Sequence, residues 1–443
     1  MVPPDGSGAA GNAGRSRTSA ALAGSTATLG SFIVTAAGGL TINVVIARHY
    51  DQAVLGDFSV ALALFVLAGN LASLGLPSAV GKLVAEERSG LLPRHVLGLG
   101  WIALGAGLLA AMLLVGIGAL VSGRGQHPGL GLASMALAPA VALFGVNRIA
   151  LFALNGARDL GRLALLTALW SLVLVGAVAV LALRGHAGWQ LAWAFGIAEA
   201  VLLAANLVAM HRLRWLDLRL PAMGLVAETL RFGLRALPGQ MCSQINSRLG
   251  VLILALWADR ATVGVYSLSA MLADGCFSLV AVLAVAANPE MSFLSASGRR
   301  DELMALVRRT RRRLTPWCLA FAAAATLAFP TITAALTGGE AYRSGWGMFA
   351  LLMVVLGLCG PWLPFAQILM QTGHPSRHSL VQVTAVAIQV ALGLALTPWL
   401  GLWGVAVSWA ASWLVVIIAP VALARRWSRV CEVGPASRDV TGP

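Results

Sequence analysis

The sequence predicts an all-α polytopic membrane protein: about 12 transmembrane helices in two six-helix, pseudo-symmetric bundles around a central cavity. Three observations predict it. Of the 443 residues 58% are apolar and only 11% are charged, about half the charged share of a soluble chain. The apolar residues come in runs long enough to cross a bilayer, which takes about 20 residues of helix. One helical-hairpin signature occurs twice, 208 residues apart. A soluble enzyme and a disordered chain are excluded by composition. An outer-membrane barrel is excluded because the runs are long rather than short and alternating.

In chain order, residues 1–20 are rich in Gly, Ala, Pro and Ser with almost no large apolar side chain, as expected of a disordered cytoplasmic N-terminus. The run Leu22–Ala47 is too long for a signal-peptide core and lacks a clear cleavage site, so it is read as an uncleaved first span. Hydropathy places spans near 24–47, 58–81, 96–121, 131–154, 163–183 and 189–210, which form an N-terminal bundle over 21–210. A cytoplasmic linker, 211–232, follows. Spans near 233–257, 264–287, 314–336, 346–370, 379–397 and 402–424 form a C-terminal bundle over 233–424, and 425–443 is a cytoplasmic tail.

The net charge of +14 is distributed by side. With the N-terminus inside, cytoplasmic segments hold 24 basic residues and outside connections hold 5 (Arg48, Arg124, Arg184, Arg260 and Arg343), with Arg148 and Arg248 inside spans. This asymmetry predicts a multi-pass protein of the cytoplasmic membrane with both termini cytoplasmic.

The repeat is carried by the first hairpin of each half. RHYDQAVLGDFSVALALF places Gly56, Phe58 and Ser59 at the start of the second span; ADRATVGVYSLSAMLADG places Gly264, Tyr266 and Ser267 correspondingly, at a constant offset of 208. Prolines Pro77 and Pro289 close the two second helices. Two related six-span halves imply pseudo-twofold repeats of the kind found in secondary transporters.

Gly-x-[Phe/Tyr]-Ser after a short acidic turn, the stretch GNLASLGLPSAVGKLVAEE and the basic loop closing the second hairpin resemble the polysaccharide transporter family. These are the Wzx-type oligosaccharide-lipid flippases of the multidrug/oligosaccharidyl-lipid/polysaccharide exporter superfamily. The likeness is carried mainly by residues 25–95 and 230–315. It implies a twelve-helix, two-bundle fold that moves undecaprenyl-diphosphate-linked glycans from the inner to the outer leaflet, alongside polysaccharide biosynthesis enzymes. Lipid II flippases of the same superfamily have fourteen spans, two more than are read here.

Charge inside a span costs roughly 2.5 to 3.5 kcal/mol on insertion scales, so each such residue is a site hypothesis. In the seventh span Gln240, Gln244, Ser247 and Arg248 fall on one helical stripe, with Pro238 and Gly239 before it marking an expected bend. The stripe is read as a cavity wall whose Arg248 meets a diphosphate through its bidentate guanidinium; the alternative is an interhelical hydrogen-bond seam. Asp274 lies 13 residues from the centre of the outside turn, as Arg248 does on the other side. The two are therefore expected at matched depth, as a structural pair or as a gate. Glu199, near the middle of the sixth span, is the candidate for ion coupling or a protonated structural carboxyl. Arg148 is either a first contact for an anionic headgroup or a side chain that snorkels to the inner interface.

The segment Arg299–Arg313 sets Leu303, Leu306 and Val307 on one face among seven arginines, the pattern of an interfacial amphipathic helix against anionic membrane lipids rather than a nucleic-acid arm. Gly105 and Gly107, mid-span, are read as packing positions. HExxH, GxSxG and Walker A sequences do not occur, and neither do metal-ligand spacings. The expectation is a transporter that is not an enzyme and needs no metal or cofactor. Besides the flippase, two readings stay open: a cation-coupled multidrug exporter of the same superfamily, and a membrane-embedded glycan polymerase or acyltransferase using His49, His127, His186 and Asp51.

Overall fold

The structure is a computed structural model that describes residues 30–31, 33–86, 97–123, 128–217, 219–246, 248–281, 291, 293–295, 297, 299–371 and 374–430. The expected N-terminal segment 1–20, Ser247, Pro289 and the tail beyond Val430 lie outside the described residues. The described residues form helices and no strands. Ten helical stretches are long and apolar enough to span a membrane. They correspond to all the expected spans except the first, where the described helix α1 (Ile33–His49) is shorter, and the seventh.

The chain divides into two compact units, one ending at Ile245 and the other starting at Asn246. In the first unit α2 (Gln52–Ala72), α3 (Leu76–Glu86), α4 (Gly100–Gly123), α5 (Pro128–Ala136) and α6 (Ala138–Gly156) are followed by α7 (Leu160–Leu183), α8 (Trp193–Arg212) and α9 (Met223–Ile245). Helix α6 is central: it packs on α2, α3, α4 and α8. Gly107 lets the α4 backbone approach α6 so closely that a Cβ there would lie 2.5 Å from the Ala142 carbonyl oxygen, which bears out its reading as a packing position; Gly105 faces open space.

The expected second span, 58–81, is two helices. Leu74 (φ 52°) and Gly75 (φ 68°) take left-handed backbone angles and end α2, so α3 leaves in a new direction. Helix α9 lies across this corner, with Gly233 against the backbone of Leu74 and Gly75 and Phe232 beneath the Lys82 ammonium at 4.5 Å. Half of the stretch read as a linker is thus helical, and α9 belongs to the first unit, not to the second bundle.

In the second unit the helices are α10 (Leu249–Leu254), α11 (Arg260–Ala281), α12 (Arg300–Thr337), α13 (Trp346–Cys359), α14 (Ile368–Gln371), α15 (Pro375–Leu400) and α16 (Leu402–Val430). α15 packs on α16, α12 on α13, and α10 on α15 and α16. The expected seventh span is broken. Helix α9 runs through Pro238 without interruption and stops at Ile245, and α10 starts only after Arg248, so the helix is interrupted eight to ten residues beyond the position expected at Pro238 and Gly239. At the break Asn246 accepts a hydrogen bond from the Ser412 hydroxyl of α16 at 2.9 Å.

The basic segment is also corrected. Residues 300–313 are the first turns of the 38-residue α12, continuous with the ninth span. Leu303 and Val307 are buried against Phe365, Ile368, Leu369 and Val421. The apolar face that the pattern assigned to lipid therefore packs on protein.

The repeat is visible in capping. Asp51 accepts from the Val54 amide (2.9 Å) at the start of α2. Asp259, 208 positions later, accepts from the Thr262 amide (3.1 Å) and hydroxyl (2.6 Å) at the start of α11. An aspartate here satisfies amides that the first helical turn leaves unpaired. Gly56, Phe58 and Ser59 in one unit, and Gly264, Tyr266 and Ser267 in the other, are all buried.

Candidate functional site

The first unit brings together two of the intramembrane charges. Asn147 and Arg148 project from α6 towards α8, where Glu199 and Asn206, two turns apart, share one face. The Asn147 side-chain amide donates to Glu199 Oε2 (2.6 Å) and to the Glu199 carbonyl (2.9 Å). Arg148 Nη2 donates to Glu199 Oε1 (3.3 Å). Asn206 Nδ2 donates to Asn147 Oδ1 (2.9 Å). Glu199 and Asn147 have no solvent exposure at all. Both carboxylate oxygens therefore have donors, which is the condition for burying a charge in a low-dielectric interior.

The surroundings hold this arrangement in place. The Arg148 guanidinium lies over the Phe144 ring (4.6 Å) and near that of Trp170 on α7 (5.5 Å), a stacking that planar guanidinium favours. One turn before Asn147 and Glu199, Phe144 and Phe195 join Phe58 and Phe65 of α2 in an aromatic layer with ring centroids 5.0 to 5.5 Å apart. Asn206 Oδ1 has no partner among the described residues, and Asn206 lines a recess of about 40 Å3 with Val146, Leu203 and Met210.

The second unit holds the other pair. Arg248 follows the helix break and Asp274 lies on α11; each acts electrostatically on the other, yet no ion pair within 4.0 Å joins them. Among the described residues the Arg248 guanidinium has no hydrogen-bond acceptor. One turn beyond Asp274, Phe277 packs with Trp409 and Trp413 of α16 at 5.2 and 4.7 Å. Gln240 is half-buried and Gln244 exposed on α9, in the first unit. The break at 246–248 thus interrupts the single stripe expected of Gln240, Gln244 and Arg248.

Four participants went unassigned in the sequence reading. Asn147, Asn206 and Trp170 complete the Glu199 cluster, and Asn206 carries a readable signal, since it lies seven residues after Glu199 on the same helix face. Gln389 is fully buried in α15, and neither its amide nitrogen nor its oxygen has a partner among the described residues. A Gln within an apolar run, seven residues after Gln382 on the same helix, was the available signal.

The histidines considered for catalysis serve local structure. His49 Nδ1 is bonded to the Val45 carbonyl (2.9 Å) and His186 Nδ1 to Gln190 Oε1 (3.1 Å). Asp51 is a helix cap. His127 lies outside the described residues.

The family described as polysaccharide biosynthesis protein matches residues 21–295, well over half of the chain. The chain belongs to this family. No curated protein matches this polysaccharide biosynthesis family member. Solved structures show its fold. A lipid II flippase, MurJ, in an inward closed conformation superposes with a TM-score of 0.74 at 12% identity, covering 91% of this chain and 87% of that one. An inward-facing multidrug resistance transporter of the MATE family in the MOP superfamily gives 0.71 at 17% identity, covering 90% and 96%. A MOP superfamily transporter from Pyrococcus furiosus, described by a reverse polarity of its binding pocket, gives 0.61 at 16%, covering 94% and 96%. These structural neighbours are described as transporters and a flippase.

Proposed function

We propose that this family member is a flippase of the cytoplasmic membrane, with both termini cytoplasmic, that carries a polyprenyl-diphosphate-linked oligosaccharide across the bilayer by alternating access for cell-surface polysaccharide synthesis. The observation that carries this reading is Arg248. It is a part-buried guanidinium in the second unit that has no acceptor among the described residues and feels the charge of Asp274. Diphosphate oxygens match its paired N–H groups and would displace the weaker attraction of the carboxylate, which makes Asp274 a gate. Arg148, by contrast, is already neutralised by Glu199. A proton arriving at Glu199 removes the charge that holds Arg148, so this pair couples ion movement to a change between α6 and α8. Gln240 and Gln244, one turn apart on α9, supply amides of the type that sugar hydroxyls bond. An acidic pocket for cationic drugs is disfavoured, because one of the two intramembrane acids is bound by an arginine and the other faces one.

The test is a strain lacking the gene. Lipid-linked oligosaccharide should accumulate there, and the wild-type chain should clear it while Arg248→Ala does not. Absence of accumulation in the deletion strain would remove the flippase reading.

A further inference from the structure

The basic end of α12 lies far in sequence from the residues considered above and carries a different ligand chemistry. Arg308, Arg309, Arg311, Arg312 and Arg313 line a recess of about 640 Å3. Among the described residues none of the five has an ion-pair partner. The acids of the same helix, Asp301 and Glu302, lie in its first turn, ahead of the recess, and Glu302 is forked by Arg299 at 2.7 and 2.6 Å. Arg311 is fixed over the Trp362 ring at 4.8 Å, which anchors one wall. Five uncompensated guanidiniums around one recess call for more than one anionic oxygen group.

A separate apolar groove of about 450 Å3 lies further along the same helix, between α12 and α13. Its walls include Leu319, Ala323 and Leu327 on α12 and Val354, Gly357 and Leu358 on α13. Ala305, Arg308, Arg312, Leu319, Ala323 and Thr326 follow one another in steps of three, four or seven, so recess and groove occupy one face of one helix. The opposite face is the buried one that carries Leu303 and Val307. From Leu319 to Leu327 the groove runs about 12 Å along the axis at 1.5 Å per residue, close to the ~15 Å depth of one hydrocarbon leaflet. Gly357 keeps its floor low, since a Cβ there would press on Leu319 at 3.1 Å.

We infer that this face is a binding site for an anionic phospholipid of the surrounding membrane, with the phosphate-bearing headgroup in the arginine recess and one acyl chain in the groove. Charge selects the headgroup, and the placement of recess and groove in succession on one helix face selects a lipid over a free anion. A diffuse electrostatic anchor would need the arginines but not the groove.

The test measures retention of lipid by the full-length chain. Protein purified in mild detergent is titrated with cardiolipin, phosphatidylglycerol, phosphatidylcholine, a polyprenyl diphosphate and inorganic diphosphate, and bound species are counted by native mass spectrometry. The expected result is one retained cardiolipin or phosphatidylglycerol, with phosphatidylcholine and inorganic diphosphate at least tenfold weaker. Arg308→Gln with Arg312→Gln should weaken retention tenfold or more, and Ala323→Phe, which fills the groove, should weaken it without changing charge. Arg299→Gln, outside the recess, should leave it unchanged. Ala323→Phe sits at an exposed position and carries the test alone if the double arginine variant fails to fold. Equal loss in Arg299→Gln, unchanged binding in Ala323→Phe, equal affinity for inorganic diphosphate, or binding of a polyprenyl diphosphate but of no phospholipid would each overturn the proposal.

Discussion

Arg148 Nη2 lies 3.3 Å from Glu199 Oε1, joining the fourth and sixth expected spans through opposite charges that insertion alone would disfavour. The carboxylate is fully enclosed, whereas the Arg148 side chain keeps 21% exposure, so the two partners respond differently to substitution. Glu199→Ala leaves a largely enclosed cation unpaired and should destabilise the protein by about 3 kcal/mol, the low end for breaking a buried pair. Arg148→Met combined with Glu199→Ala should recover part of that loss, read as a thermal midpoint in detergent.

Glu199→Gln isolates the proton. The amide keeps one oxygen to accept from Arg148 and fills the same volume, while its NH2 replaces the oxygen that accepts from Asn147; folding and localisation should persist at some cost in stability while transport loses its pH dependence. A variant whose pH profile overlays the wild type would assign Glu199 a structural role.

The two capping aspartates give a stability test that does not involve transport. The hydroxyl and amide of Thr262 hold the Asp259 carboxyl below the usual carboxylate range. A depressed value in the folded state means that the contribution is present above the unfolded value and is lost as pH falls through the folded one. Asp259→Ala should therefore lower stability by about 1 kcal/mol at neutral pH, with the difference from wild type shrinking below about pH 4. A constant difference down to pH 3 would count against the cap.

Gly75 joins a left-handed φ to a close neighbour, the Gly233 backbone. Gly75→Ala meets both obstacles and should lose about 2 kcal/mol or more, with reduced yield of folded protein as the readout. Gly105→Ala, in open space, should be neutral.

Apolar runs made the spans legible, because about 20 residues without charge have few alternatives to crossing the bilayer. The breaks were harder to read. The corner at 73–75 has a local signal, Gly75 followed by Pro77, but Leu74 at positive φ is a conformation that no Leu advertises. The break at 246–248 contains neither Gly nor Pro, whereas Pro238, the expected kink, is accommodated inside α9. Periodicity correctly grouped Leu303, Leu306 and Val307, yet it could not say whether that face meets lipid or protein; the packing of Phe365 and Ile368 decides this. Hairpin depth placed Asp274 by Arg248 in charge but not in contact. It missed the Arg148 and Glu199 contact, because α6 and α8 are not consecutive helices and their pairing is a property of the bundle.

The orientation expected from the basic residues awaits a topology test. A reporter fused after Arg313 should be active only as a cytoplasmic reporter, and one fused at Arg343 only as an extracytoplasmic one.

The most direct measurement is translocation of a polyprenyl-diphosphate-linked oligosaccharide in proteoliposomes, read as glycan that becomes accessible to an external glycosidase. Wild-type protein should raise the accessible fraction. Arg248→Ala should lower the rate tenfold or more, and Arg248→Lys, which keeps charge but loses the bidentate fork, should fall between. Exchanging Arg248→Asp with Asp274→Arg should not restore transport, since a diphosphate ligand does not survive a move to another helix. Wild-type rates in folded Arg248→Ala, or full rescue by the exchange, would contradict the assignment of Arg248 to the diphosphate.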